Sequence, residues 1–449
     1  MTGLALQVVD HVGLLALQAA VAGLDPGVAL ALLTAFAVFL FIVGVPILLV
    51  FSTWAIGFSV IFPVFSLRNM ALVSYYQLWT FPLTAVPLFI LVGALINQLR
   101  IARDIIGLSR AVAGWLPGSS ANTALVTAGV FSAITGSNAA TTASVGEAFT
   151  DELDEEGYDP VFSAATIAAG GTLGIIIPPS VLFILYGVTF NLPVSELFVA
   201  GILPGVLMLS GLVVTSTLIS YRRDYGTTEY GFSLTSIARS IFRARNSLLA
   251  IVVLLGGIFT GVFTPSESAS IAILVVVTAE LLSGHIDSFD FVTESVSLTI
   301  YLVGIIIPVL ITSIMIQQSL SFLNLQDIVS NAILALDSPL LVGVALLVVM
   351  LLSGSVLASI PNMILTAPLL APAAFALGIS PIMWGVIFMI SDAIGFITPP
   401  YGLNLYIMSS ITGIDYMKIA RAALPYFFVL TSILILFFVF PELNVLAAG

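Results

Sequence analysis

Apolar runs of about 20 residues follow one another along almost the whole chain, each long enough to cross roughly 30 Å of hydrocarbon as a helix. Of the 449 residues, 60% are hydrophobic and 8% charged, whereas a soluble domain carries roughly 25% charged residues. The chain therefore reads as an all-α polytopic membrane protein whose solvent is the lipid bilayer. A transmembrane β-barrel would alternate apolar and polar residues, and this sequence does not. With no cysteine, disulfides and thiolate metal sites are excluded. The two histidines, His11 and His285, stand far apart in sequence, which argues against a zinc or haem centre. No G-x-x-x-x-G-K-[ST] loop is present, so the chain is not expected to hydrolyse ATP. No catalytic set stands out: the reading is not an enzyme, and no nucleic-acid partner is expected. The net charge is −12, and Lys418 is the single lysine beside ten arginines. Adaptation to high salt and compositional noise both account for this.

Two stretches interrupt the apolar pattern. The first opens with Gly136-Ser137-Asn138-Ala139-Ala140-Thr141-Thr142-Ala143-Ser144 and closes with Gly170-Gly171-Thr172-Leu173-Gly174-Ile175-Ile176-Ile177-Pro178-Pro179-Ser180. Glycine costs a helix interior about 1 kcal/mol and proline about 3, and paired prolines remove two backbone donors. In a membrane, freed backbone groups survive where protein or a water-filled cavity satisfies them. The stretch is therefore expected to form broken helices that face each other across a polar cavity. The second copy carries Gly354-Ser355 and then Gly395-x-Ile-x-Pro399-Pro400; the separation from Gly-Ser to the first proline is 45 residues, against 42 in the first copy. Two broken-helix patterns at corresponding points of two hydrophobic halves mark a transporter binding site at a repeat interface. Tip carbonyls and hydroxyls suit a hard cation, and the N-termini of half-helices offer positive dipole ends to an anion.

The candidate spans are Ala29–Phe51, Trp54–Phe65, Pro82–Gln98, Ala121–Ile134, Thr141–Phe149, Val161–Ile177, Val181–Phe190, Leu197–Ser220, Ser247–Phe263, Ser268–Leu282, Leu298–Ile316, Leu340–Leu352, Ile364–Leu377, Ile382–Ile394, Leu403–Ile411 and Ala423–Phe440. Leu4–Ala22 lacks the basic start of a signal peptide and reads as an extra membrane-lying helix. Basic clusters at Arg100, Arg103 and Arg110, at Arg222 to Arg245, and at Lys418 with Arg421 mark cytoplasmic segments by the positive-inside bias. Ile101–Trp115 and Leu234–Phe242 read as helices lying in the interface. Asp151 to Glu156 reads as a solvated loop. Glu267, in Thr264-Pro265-Ser266-Glu267, reads as a helix-start acid. Asp392 lies inside an apolar run, either as a buried functional carboxylate or as a hydrated group near the interface.

Gly170 to Ser180, Gly157-Tyr158-Asp159, Phe263-Thr264-Pro265-Ser266-Glu267 and Ile397-Thr398-Pro399-Pro400-Tyr401-Gly402-Leu403-Asn404-Leu405 together resemble the large membrane subunit of tripartite ATP-independent periplasmic (TRAP) transporters, from about Trp79 onward. The resemblance implies a sodium-coupled importer of organic acids in the inner (cytoplasmic) membrane, working with a small four-helix membrane subunit and a periplasmic substrate-binding protein. It implies two inverted repeats with re-entrant hairpins and an elevator mechanism. On that basis residues 1–27 are an N-terminal extension and 28–115 scaffold. Residues 116–200 are the first transport repeat, 201–335 scaffold and arm helices, 336–415 the second repeat, and 416–449 the C-terminal helix. One sodium (Na+) site is expected from Ser137, Asn138 and Gly174, and the other from Gly354, Ser355, Gly395 and Thr398. The substrate-facing set is Asn138, Thr172, Pro178, Pro179, Ser180, Thr398, Pro399, Pro400 and Asn404. The chain departs from the family pattern at Ala358, Ser359 and Ala393, where many members carry an acid, and in its acidic stretch before Gly157. A self-sufficient sodium/carboxylate symporter without a binding protein is the alternative within transport; a lipid-modifying enzyme and a channel are rivals of other classes.

Overall fold

The computed structural model describes residues 24–98, 101–225, 231–282, 290–336 and 338–444. The expected helix at Leu4–Ala22, together with His11, Arg100 and His285, lies outside them. The described residues form helices and no strand.

The chain opens with α1 (Pro26–Ile42), α2 (Ile47–Ile61) and α3 (Leu67–Leu78). The run Ala29–Phe51, expected as one span, is divided. Gly44 sits at φ +88°, in the left-handed region that glycine tolerates, and Pro46 precedes α2 and cannot continue a helix from Val45. Helix α3 carries Arg68, Asn69 and Gln77, and that polarity hid it from a search for apolar runs. These helices form one compact unit, up to Thr80, together with Gly304–Val329. Its centre is aromatic. Phe58 is fully buried, with ring centroids of Trp54 at 5.2 Å, Phe62 at 4.8 Å, Phe65 at 6.0 Å and Phe322 at 6.2 Å.

The second unit comprises Phe81–Val303 and Ser330–Gly449. It begins with a tight 3-10 turn (Phe81–Thr84), α4 (Ala85–Gln98) and α5 (Ile101–Ala113). Then follow α6 (Ser119–Thr135), α7 (Asn138–Glu155), α8 (Pro160–Gly171), α9 (Val181–Phe190) and α10 (Val194–Arg223). Next come α11 (Leu234–Arg243), α12 (Arg245–Phe259), α13 (Pro265–Leu282), α14 (Asp290–Phe322, which runs on into the first unit) and α15 (Leu325–Leu334, which begins in the first unit). The last are α16 (Pro339–Gly354), α17 (Ser359–Ala376), α18 (Pro381–Gly395), α19 (Leu403–Thr412), α20 (Tyr416–Ala422) and α21 (Leu424–Val439). Among the described residues α10, α14 and α17 are long and apolar enough to cross a membrane singly, and α20 and α21 form a pair bent by 53°. This is a multi-pass membrane protein.

One arrangement occurs twice. In the first copy α6 and α7 meet at a tight turn, α8 runs into a 3-10 turn at Thr172–Ile175, the chain is irregular to Ser180, and α9 resumes. In the second, α16 and α17 meet at a turn, α18 ends at Gly395, the chain is irregular to Gly402, and α19 resumes. Both double prolines thus interrupt helices, as expected.

Three local readings meet different outcomes. The Thr264 backbone N–H and hydroxyl each donate to Glu267 Oε2 at 2.8 Å, and the Glu267 N–H donates to Thr264 Oγ1 at 3.3 Å. That is a reciprocal capping box at the start of α13. The acidic run is not a loop: Asp151 to Glu155 belongs to α7. Glutamate favours helix, Leu153 is fully buried, Glu152 pairs with Arg110 of α5, and Glu156 accepts from the Ser120 hydroxyl at 2.9 Å. These anchors extend the helix past its apolar part. Helix α11 has no buried side chain among those described, with Leu234 71% and Phe242 68% exposed, as suits an interfacial helix.

Candidate functional site

The two turns are pressed into the two breaks. At the first, Gly136 caps α6 in the left-handed conformation with φ 58°. Ser137 then caps α7, its hydroxyl accepting from the Ala140 N–H at 3.4 Å. Gly174 lies directly against this turn: a Cβ there would collide with the Ser137 carbonyl and the Asn138 nitrogen. A Cβ on Gly136 would come 2.8 Å from the Pro179 carbonyl oxygen, so tip and break touch at two places. At the second, a Cβ on Gly395 would collide with the Gly354 carbonyl. The Tyr401 N–H crosses from the break to the Ser355 carbonyl at 2.9 Å. Ser137, Asn138 and Gly174 are therefore neighbours, as are Gly354, Ser355 and Gly395.

Oxygen dominates these contacts. Near the first tip the Thr135 and Thr141 hydroxyls lie 2.9 Å apart, and the Thr135 hydroxyl donates to the Ser137 carbonyl at 3.4 Å. Asn138 is 2% exposed, and neither its Oδ1 nor its Nδ2 has a hydrogen-bond partner. A buried amide left unpaired is costly, so this pair of atoms is available to a ligand. At the second site the Ser355 hydroxyl donates to the Leu352 carbonyl at 2.9 Å and the Thr398 hydroxyl to the Ile394 carbonyl at 2.7 Å. Their oxygen lone pairs remain free to accept.

The two halves of the motif also meet each other. Asn404, at the start of α19, is fully buried and its Nδ2 donates to the Ala168 carbonyl of α8 at 3.0 Å. A Cβ on Gly171 would strike Thr142 Oγ1 and come 2.9 Å from Asn404 Nδ2. The remaining members of the substrate-facing set divide. Thr172, Pro178, Pro179 and Ser180 are buried, with the Thr172 hydroxyl donating to the Ala169 carbonyl at 2.6 Å. Pro399 and Pro400 are exposed and Thr398 is intermediate.

The broken helices were expected to face each other across a polar cavity. Each tip touches its break, and two clefts lie elsewhere in the second unit. One, of 520 Å³, is lined by Thr84, Leu88, Phe263, Ser266, Glu267, Ser270 and Ile271. The other, of 160 Å³, lies beside Arg110, Trp115, Ser233, Ser236 and Ser240. Glycine is the reason: without side chains, Gly174 and Gly395 let backbone close on backbone.

Asp392 belongs to the buried of its two readings: it is fully buried on α18, and its Oδ1 accepts from Asn362 Nδ2 at 2.8 Å. Asn362 was not singled out in the sequence. The available signal was an amide inside the apolar run that follows the second Gly-Ser.

Comparison with known proteins identifies relatives. The family described as "Tripartite ATP-independent periplasmic transporter, DctM component" matches residues 28–443. The C4-dicarboxylate TRAP transporter large permease protein DctM of Pseudomonas aeruginosa is 31% identical over 84% of this chain and 89% of its own length. The sialic acid TRAP transporter large permease protein SiaM of Vibrio cholerae is 30% identical over 89% of this chain and 95% of its own. The isethionate TRAP transporter permease protein DctMQ of Oleidesulfovibrio alaskensis is 28% identical over 92% of this chain, which spans 65% of that longer protein. Among solved structures, the YdaH transporter of Alcanivorax borkumensis shares the fold with a TM-score of 0.51 at 15% identity, over 82% of this chain and 89% of that one.

Proposed function

Because this chain belongs to the DctM component family of tripartite ATP-independent periplasmic transporters, we propose that it is the large membrane subunit of a secondary transporter that imports a small organic acid by coupling to sodium. The observation that carries the reading is the seating of each hairpin tip on a glycine of a broken helix, at Gly174 and at Gly395. This gathers peptide oxygens and hydroxyls in two places without any basic side chain, the donor chemistry of a hard monovalent cation. The relatives named for C4-dicarboxylate and sialic acid carriers support an acid as the cargo. Binding a cation with the anion neutralises charge before a low-dielectric crossing that a bare ion would make costly.

In this reading Ser137, Asn138 and Gly174 hold one sodium, and Gly354, Ser355, Gly395 and Thr398 hold the other. The acid meets Asn138, Thr172, Ser180, Thr398 and Asn404, with Pro178, Pro179, Pro399 and Pro400 keeping the helices open. Residues 116–200 and 336–415 are the moving domain, two repeats of inverted topology, and the other helices are the scaffold of an elevator. A periplasmic binding protein delivers the acid, a small four-helix subunit completes the scaffold, and the assembly sits in the cytoplasmic membrane.

The test is uptake driven by a sodium gradient into proteoliposomes that hold the chain with its small subunit, with the binding protein supplied. Ser137→Ala, which removes the cap and one oxygen at the tip, is expected to raise the sodium concentration for half-maximal uptake while the protein remains membrane-inserted. Uptake by Ser137→Ala that matches wild type at limiting sodium would count against the assigned site.

A further inference from the structure

Around the second tip lies a set of side chains that carry charge and hydrogen-bonding capacity with too few partners. Asp392 is fully buried, and while its Oδ1 accepts from Asn362 Nδ2 at 2.8 Å, its Oδ2 has no hydrogen-bond partner. Asn362 is 1% exposed and its Oδ1 is unpaired; Ser391 is 1% exposed and its hydroxyl is unpaired. Ser359 lies beside the Asp392 carboxylate without completing a hydrogen bond. Gly354 closes the group: a Cβ there would come 3.4 Å from Asp392 Cα, 3.5 Å from the Ser391 carbonyl and 3.6 Å from Asn362 Nδ2. The side-chain ion pairs among the described residues are Arg110–Glu152 and Arg223–Asp159, so neither supplies Asp392 with a countercharge. The N-terminus of α17 is near, since Ser359 opens that helix, but a helix end supplies at most roughly half a unit charge. Removing an uncompensated carboxylate from water costs several kcal/mol, so Asp392 calls for a positive partner, a proton or a cation, and the unpaired oxygens gathered around it favour the cation.

We infer that Asp392, Asn362, Ser359 and Ser391 form an anionic cradle that binds a monovalent hard cation behind the Gly354 carbonyl, giving the second half of the molecule a charged cation site where the first half has a neutral one. The asymmetry is local. With Pro178-Pro179 aligned on Pro399-Pro400, Asp392 falls opposite Gly171, whose surroundings are the Thr142 hydroxyl and the Asn404 amide. One carboxylate with neutral oxygens suits sodium; calcium sites assemble more carboxylate ligands. The inference rests on the reading that this half binds the coupling cation, and it names the side chains that supply the charge.

The experiment measures thermal stabilisation of the full chain in lipid nanodiscs as choline chloride is exchanged for sodium chloride at constant ionic strength. Asp392→Asn keeps the shape and removes the charge; it is expected to raise the half-saturating sodium concentration about tenfold or more, a loss comparable to one decade of affinity. Exposed Asp151→Asn serves as the reference and is expected to match wild type. Should Asp392→Asn not fold, Ser359→Ala with Ser391→Ala removes two oxygens and is expected to shift the same midpoint upward. A sodium response of the wild type that either variant leaves unchanged overturns the cradle while sparing the sodium reading. A wild type indifferent to sodium overturns the sodium reading and the cradle with it.

Discussion

Gly174 and Gly395 show how far one missing methyl group reaches. Each sits where a Cβ would meet backbone atoms of the facing tip, and backbone cannot step aside as a long side chain can. Overpacking a buried contact costs about 1–3 kcal/mol, and here the strain falls on the groups that would ligate the cation. Gly395→Ala is therefore expected to abolish sodium-driven uptake, or lower it more than tenfold, with the protein still inserted. Gly256 in α12 is the contrast, since a Cβ there meets nothing within 4 Å. Gly256→Ala is expected to leave uptake intact and to hold or raise thermal stability by up to about 1 kcal/mol, the helix preference of alanine. Equal loss in both would show that uptake responds to any added methyl. At this scale the sequence was informative where the backbone penalty is large. Double prolines announced breaks because together they remove two backbone donors, and the Gly-Ser pairs announced tips because each recurs at a similar distance before a double proline. Asn362 and its bond to Asp392 were illegible, because the partners are 30 residues apart and a lone amide in an apolar run does not say what it faces.

Helices here are held to one another by close packing at small residues and by a few buried polar bonds. Thr166 of α8 and Tyr426 of α21 share a buried hydrogen bond of 2.7 Å. In hydrocarbon-like surroundings such interhelical bonds are worth about 0.6–2 kcal/mol. Tyr426→Phe is expected to lower the melting temperature by the equivalent of about 1 kcal/mol, and Thr166→Val to add little to it, since both remove one bond. Additive losses in the double variant, read by thermal unfolding in nanodiscs, would show that the two hydroxyls act separately. Element boundaries were legible where a proline or glycine set them, and α9 at Val181–Phe190 begins and ends where the sequence placed it. They were lost where tertiary anchors overrode composition. Leu153 and the Glu152–Arg110 pair hold an acidic run in helix, and α3 mixes polar with apolar residues.

Across the whole molecule the twofold motif is built in two unequal states. At the first break Pro178, Pro179 and Ser180 are buried, whereas at the second Pro399 and Pro400 are exposed and Tyr401 is intermediate. If the two copies are inverted repeats, exchanging their conformations turns one membrane-facing state into the other, which is the symmetry argument for alternating access. The absence of cysteine makes this directly measurable, because single cysteines introduced at Ser180 and at Tyr401 are the sole thiols. Labelling by a membrane-impermeant maleimide is expected to be slow at Ser180→Cys and faster at Tyr401→Cys in the state described here. Sodium with substrate shifts the balance of states only through differential binding, so it is expected to move the two rates in opposite directions. Exchange of conformations between the two copies requires that opposition; rates that rise or fall together would count against the exchange.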